Sequence, residues 1–258
     1  MKIIHLSDLH FGTQENKVVT ALAEAIRTVA PDLVVISGDF TQTARMGEFM
    51  AARTFIDSLN TPLLCVPGNH DVPGFDLMER LMHPYDRYHE AISENMEPVY
   101  ETDKVLVFGL NSARRIVPHW NWANGALSGA QRDHIKKLVE GKGDKWLICT
   151  FHHPIHETDH MPIDVVVFGG RAMMKTLKEL GVDLVMTGHV HRASITMQGD
   201  VDHQVVYLSA STALSSRIRG QENGFNLITL RDTDMQIDMF KYIDGIFISS
   251  DTYTQRRF

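Results

Sequence analysis

The chain has little cysteine, no excess of basic residues and no long apolar run. Its 258 residues include two cysteines, Cys65 and Cys149, each inside a short apolar run. Two such thiols make no disulfide framework. They read as small buried hydrophobes, which favours a reducing compartment. No apolar stretch approaches the ~18 residues that a membrane-spanning helix needs. No leader is expected, since a strand pattern starts at Lys2 and already reaches a candidate ligand at Asp8. These absences predict a cytoplasmic protein with no membrane partner. Lys and Arg number 25 against 32 Asp and Glu, a net charge of −7. Long nucleic acid is therefore disfavoured, because binding by counterion release needs a basic surface. A small anionic substrate is not excluded, because metal ions supply large local positive charge.

Apolar residues make up 43% of the chain, enough for a substantial core without staples. The pattern predicts one domain over residues 1–258, with an insertion over the site at about 73–97. Buried-strand runs at Lys2–Leu6, Leu33–Ile36 and Leu63–Val66 alternate with helical spacing over Glu15–Ala30 and Gly47–Leu59. This is the punctuation of parallel βαβ units. Further strands are expected at Val105–Leu110, Trp146–Phe151 and Asp183–Met186, and helices at Ala130–Glu140 and Gly170–Leu180. Phe75–Asn95 reads as irregular helix, and Ile116–Leu127 and His156–Phe168 read as loops. After Gly188 four more strand patterns follow, Ile195–Gln198, Gln204–Leu208, Phe225–Leu230 and Gln236–Tyr242, with short turns that suggest antiparallel pairing. Asp251–Phe258 reads as a loose polar tail. The expected architecture is two sheets, one largely parallel and one mixed, packed face to face with helices outside.

Five polar motifs carry the chemistry. They are Asp8-Leu9-His10, Gly38-Asp39, Gly68-Asn69-His70-Asp71, His152-His153 and Gly188-His189-Val190-His191. Four directly follow a buried-strand run and the third follows one after a single proline. Ligand-type side chains are thus gathered at the carboxyl edge of a sheet, where open α/β folds hold their sites. Read as extended chain, residues i and i+2 point the same way, so Asp8 and His10 reach one pocket, as do His189 and His191. Asp39, at a tight glycine turn, is placed to bridge two ions, and Asn69 offers an amide oxygen. Mixed Asp, His and Asn ligands suit Mn, Fe, Zn or Co. Taken singly, each motif has a bland reading as a cap, a turn or a solvated pair. Their convergence in order supports an active site.

With these motifs in this order across about 190 residues, the chain resembles the calcineurin-like metallophosphoesterases. Within them it is most similar to the class III cyclic-nucleotide phosphodiesterases and the glycerophosphodiesterases. The resemblance implies an α/β fold, a four-layer αββα sandwich of two mixed sheets flanked by helices. It implies two metal ions, one held by Asp8, His10, Asp39 and His191, the other by Asp39, Asn69, His152 and His189. It gives His70 contact with the phosphate and protonation of the leaving oxygen, leaves His153 outside the ligand set, and allows a homodimer or higher homo-oligomer. The expected activity is hydrolysis of a small phosphodiester, first a 3′,5′-cyclic nucleotide. A glycerophosphodiesterase or broad phosphomonoesterase is the alternative, and a catalytically silent metal-binding interaction module is a rival from another class. A metal pair can clamp a phosphate through its attacking and leaving oxygens. Imidazole titrates near neutrality, which suits His70 as proton donor.

The other candidates have weaker claims. His5 is expected to pack within its strand. His83, His89, His119, His156, His160 and His203 are expected at the surface or in loops. Trp120 and Trp122 can stack on a base or pin their loop. The thirteen methionines read as gap fillers, and Arg171, Arg192 and Arg217 as solvated charges.

Overall fold

A computed structural model describes residues 1–156, 165–199, 203–216, 218 and 220–257. Along the chain the elements are β1 (Lys2–Leu6), α1 (Asn16–Val29), β2 (Leu33–Ile36), α2 (Met46–Ser58), β3 (Leu63–Cys65), α3 (Leu77–Met82), α4 (Asp86–Ala91), β4 (Val99–Glu101), β5 (Val105–Gly109), β6 (Gly125–Ala126), α5 (Gly129–Val139), β7 (Trp146–Thr150), β8 (Val167–Phe168), α6 (Gly170–Glu179), β9 (Leu184–Thr187), β10 (Ser194–Gly199), β11 (Gln204–Ser209), β12 (Gly224–Leu230), β13 (Asp234–Ile243) and β14 (Ile246–Arg256). One sheet runs β14-β13-β12-β1-β2-β3 and the other β10-β11-β9-β7-β5-β4. In the first, β1, β2 and β3 are parallel and β12, β13 and β14 antiparallel. In the second, β11, β9, β7 and β5 are parallel, with an antiparallel strand on each edge.

Strand parity sorts the apolar residues into three cores. Ile4, Leu6, Val34 and Ile36 pack under α1 and α2, against Leu22, Ile26, Phe49 and Ala52. Ile3, Val35, Val107, Ile148, Met186 and Ile237 fill the space between the two sheets. Leu106, Phe108, Leu147 and Val185 pack under α5 and α6, against Ile135, Met173 and Leu177. Both faces of the central strands are covered, so they read as unbroken apolar runs rather than as alternation. Three cores between helix, sheet, sheet and helix make the four-layer αββα sandwich. Ser128 starts α5 by accepting from the Gln131 backbone N–H at 3.1 Å, as a good N-cap does.

Three expectations need correction. The tail from Asp251 is not loose: Asp251–Arg256 is the second half of β14, paired with β13 along its length. The loops over 116–127 and 156–168 each contain two strand residues, Gly125–Ala126 paired with Val167–Phe168. Gln204–Leu208 does not pair antiparallel on both sides, since β11 joins β9 in parallel. The irregular helix at 75–95 appears as α3 and α4. No helix among the described residues is long and apolar enough to cross a membrane.

Candidate metal centre

The loops after β1, β2, β3, β7 and β9 meet where the two sheets' carboxyl edges face each other. Backbone hydrogen bonds lace them together: Asp8 N–H to Gly38 O at 3.0 Å, His10 N–H to Asp39 O at 3.0 Å, and Gly188 N–H to His152 O at 2.9 Å. Two glycines permit this approach. A Cβ on Gly68 would run into the Asp39 carboxylate, and one on Gly188 would overlap Ser7 Oγ and lie 2.5 Å from Asp8 Oδ2.

The convergence of the motif residues has a different cause from extended-chain alternation. Asp8, His10, Asp39, His189 and His191 all have positive φ, between 45° and 71°. They make up most of the non-glycine residues with positive φ among those described, and none is a residue type for which that conformation is effortless. Strained backbone of this kind collects at functional sites, where the surrounding packing holds it. Asp8 and His10 do meet, but through left-handed turns, whereas His189 and His191 part to different donor groups instead of sharing one pocket.

Two groups of donor atoms result. Asp8, His10, Asp39 and His191 form one, buried throughout. His10 Nε2 and His191 Nε2 stand 3.0 Å apart, and Asp8 Oδ1 is 3.1 Å from His191 Nε2 and 3.7 Å from His10 Nε2. His152, His153 and His189 form the other, with Asn69 Oδ1 at 3.1 Å from His152 Nε2 and 2.9 Å from His189 Nδ1. Asp39 Oδ2 faces both groups, 3.6 Å from His10 Nε2 and 3.3 Å from His152 Nε2. The other oxygen, Oδ1, accepts the His70 backbone N–H at 2.8 Å.

His153 sits among these atoms but turns both ring nitrogens elsewhere. Nδ1 is 2.8 Å from Ser112 Oγ, and Nε2–H donates to Ala123 O at 2.9 Å. By contrast, His10 and His152 spend only Nδ1–H on backbone carbonyls, Thr41 O at 3.2 Å and Ser37 O at 2.8 Å. These bonds fix the tautomer and aim Nε2 into the centre, as second partners of metal-binding histidines do.

The electrostatics fit cations. Burial pushes the Asp8 carboxyl up, but His191 and then His10 hold it well below the usual carboxylate range. Asp39 is likewise lowered, the effect of burial being overcome by His152 and His70. Burial lowers His152, yet Asp39 and its hydrogen bond raise it to about 9. Burial and the neighbouring His152 lower His189 to about 3. Asp8 Oδ1 is buried with no well-directed hydrogen bond, its near neighbour being His191 Nε2 at 3.1 Å, an uncommon state for a carboxylate oxygen. Two imidazole nitrogens facing each other beside that oxygen, and a second such corner around Asp39 and Asn69, are donor sets that a cation satisfies.

A family model described as calcineurin-like phosphoesterase matches residues 1–193. The chain belongs to that family. It is 25% identical over 185 residues to a probable glycerophosphodiester phosphodiesterase of Arcobacter nitrofigilis, covering 70% of this chain and 63% of that one. The chain thus spans less than two thirds of that relative's length. It is 26% identical to a probable cyclic nucleotide phosphodiesterase of Synechococcus sp., over 77% of this chain and 76% of the relative. A dimetal phosphatase from Danio rerio shares its fold with a TM-score of 0.68 at 12% identity, covering 96% of this chain and 98% of that one.

Beside the donor groups a cavity of about 350 Å³ is lined by Asn69, His70, Phe75, Arg80 and Trp122 among others. His70 Nδ1–H donates to Gln42 O at 2.7 Å, and its ring packs edge-on to His10 with centroids 4.8 Å apart. Trp122 joins this wall, whereas Trp120 is 88% exposed. Sequence reasoning gave Asp71 and Arg80 no role. Asp71 ties the Asp39 loop to the Asn69 loop, accepting from Thr41 N–H at 3.0 Å and Gly68 N–H at 2.9 Å. Arg80, in α3, donates to Arg115 O, Pro73 O, Arg114 O and Trp122 O, with its guanidinium 5.0 Å from the Trp122 ring. Asp71 was visible in its motif; nothing in the sequence marks Arg80.

His5 is buried and bonded to Ser37 Oγ at 2.9 Å, as a packed strand residue. His156 is not a surface residue: it is buried against Tyr207, ring centroids 4.8 Å apart, where the apolar wall under α6 extends to it. His160 and Arg217 lie outside the described residues.

Proposed function

We propose that the chain is a dinuclear phosphodiesterase that hydrolyses a small phosphodiester, with a 3′,5′-cyclic nucleotide as first substrate. Asp8, His10, Asp39 and His191 would hold one ion; Asp39, Asn69, His152 and His189 the other, drawn from Mn, Fe, Zn or Co. The observation that carries this reading is the position of Asp39 Oδ2 between the two donor groups, beside the cavity lined by Asn69 and His70. Divalent ions at such a centre stabilise charge on a phosphoryl group. Asn69 and His70 bind the phosphate at the cavity's inner end. With Nδ1–H held by Gln42 O, His70 exchanges its catalytic proton through Nε2 and delivers it to the leaving oxygen. Asp39 positions His70 by accepting its backbone N–H, which couples the metal centre to the acid. Trp122 offers an aromatic face to a base, supporting the nucleotide over a glycerol substituent. A reducing, cytoplasmic setting belongs to the same proposal.

A panel of cyclic nucleotides, glycerophosphodiesters and phosphomonoesters, assayed with added Mn, tests it. Turnover of the diesters, fastest for a cyclic nucleotide, is expected. Faster glycerophosphodiester turnover makes the alternative correct, and no turnover of any ester leaves the silent module. Metal analysis of Asp39→Ala tests the bridge: at least one ion should be lost, because the shared carboxylate no longer separates two cations. Two tightly held ions in that variant would overturn the bridging role.

A further inference from the structure

The surface next to the cavity is unexpectedly apolar. Phe75, Leu77, Met78, Leu81 and Met82 are exposed on and just before α3, and Ile116, Trp120 and Trp122 on the neighbouring loop. These two short segments carry half of the large apolar side chains exposed among the described residues. Phe75 is 87%, Met78 71% and Trp120 88% exposed. The segments are held as one surface. Arg80 of α3 donates to the carbonyls of Arg114, Arg115 and Trp122, and Arg115 donates back to Leu81 O at 2.9 Å. Exposed apolar surface of this density marks a binding surface rather than ordinary exposure.

The occupant follows from where the surface leads. Phe75 and Trp122 belong both to it and to the wall of the cavity that Asn69 and His70 also line. A group attached to a phosphate in that cavity, and too long for it, would meet Phe75 at the cavity wall and, beyond it, the exposed Met78 of α3.

We propose that this site also takes phosphodiesters bearing an extended apolar substituent, which Phe75, Met78 and Trp120 receive outside the cavity. The inference rests on the phosphodiesterase reading and extends its substrate class. The reaction is the same: water adds to phosphorus, the P–O bond to the leaving group breaks, and His70 or the solvent supplies the proton.

The test is a series of p-nitrophenyl n-alkyl phosphates from methyl to octyl, below their aggregation concentrations, with the Mn-loaded full chain. Hydrolysis releases p-nitrophenolate and leaves the alkyl phosphate. Complete burial of a methylene is worth up to about a fourfold gain. On a half-open surface, kcat/KM for the octyl ester should exceed that for the methyl ester by at least about tenfold. Phe75→Ser and Met78→Ser change only exposed side chains and should each cut that ratio severalfold. Met50→Ser, at an exposed apolar position on α2, should leave it unchanged. A flat series overturns the proposal while the phosphodiesterase reading stands, and so does an equal loss on all esters in the rim variants. Sedimentation at assay concentration identifies a dimer that covers the rim, which would also give a flat series and overturn it. No turnover of any ester in the series refutes the phosphodiesterase reading itself.

Discussion

His70→Ala isolates one proton transfer from everything else the site does. The ring accepts its orientation from Gln42 O and contributes no atom to either donor group, so the variant should keep its metals. Turnover of an alkyl diester should fall about 10²–10⁴-fold, the usual worth of a general acid. The loss should shrink for p-nitrophenyl esters, whose leaving group needs no proton. Equal losses on both would assign His70 to phosphate positioning. At this scale the sequence was informative because the side chains that the structure gathers around the candidate centre, Asp8, His10, Asp39, Asn69, His152, His189 and His191, stand out by type and motif. What it hid are backbone partners. Thr41 O, Ser37 O and Gln42 O set three histidine orientations, and a carbonyl has no residue type. Arg80 and His156 were hidden for a related reason: burial of a polar side chain depends on what packs over it from far along the chain.

Strands and their turns set the next scale. Gly188 ends β9 where Ser7 and Asp8 cross it, and no side chain fits between them. Gly188→Ala should therefore push the Asp8 loop aside and lower metal affinity with little change in helix or sheet content. Circular dichroism together with metal titration checks this, and unchanged affinity would show that the loop yields freely. The buried strands were legible because, covered on both faces, each is a run of apolar residues ending abruptly in polar ones. β14 was not legible. Ile246–Arg256 is an edge strand exposed along most of its length, so nothing selects alternation in its sequence. β6 and β8 are two residues each, too short for any period. The positive φ angles at these Asp and His residues of the motifs were illegible too, because Asp and His ordinarily prefer other backbone regions.

Over the whole molecule, acid is the informative stress. Burial lowers His156 from its ordinary 6.5 to about 4, and lowers His5 to about 3 despite Asp8. Between these values and 6.5 the unfolded chain binds protons that the folded chain refuses. The stability these groups support is present above pH 6.5 and drains as pH falls. Asp71 opposes them: burial and Asp39 raise it to about 7, so the folded chain holds a proton there that the unfolded chain releases. A difference measurement separates the two signs. In metal-free protein, the stability of His156→Phe relative to wild type should rise by about 1.4 kcal/mol per pH unit from 6.5 down to 4. Urea unfolding at several pH values reads this directly; a difference independent of pH would place the His156 ring in contact with water or a partner.

The donor atoms come from both halves of the sandwich. Asp8, His10, Asp39 and Asn69 follow strands of one sheet; His152, His189 and His191 follow strands of the other. Neither half alone holds either of the proposed coordination sets complete. Ions held by the proposed set would act as a rivet through two plates. Their capture would require residues more than 180 positions apart, such as Asp8 and His191, to have met first, and contacts of such separation are slow to form. Ions held there as proposed would make separation of the sheets and release of metal a single event, and the dissociation rate of the ions would then be a clock for the opening of the whole fold.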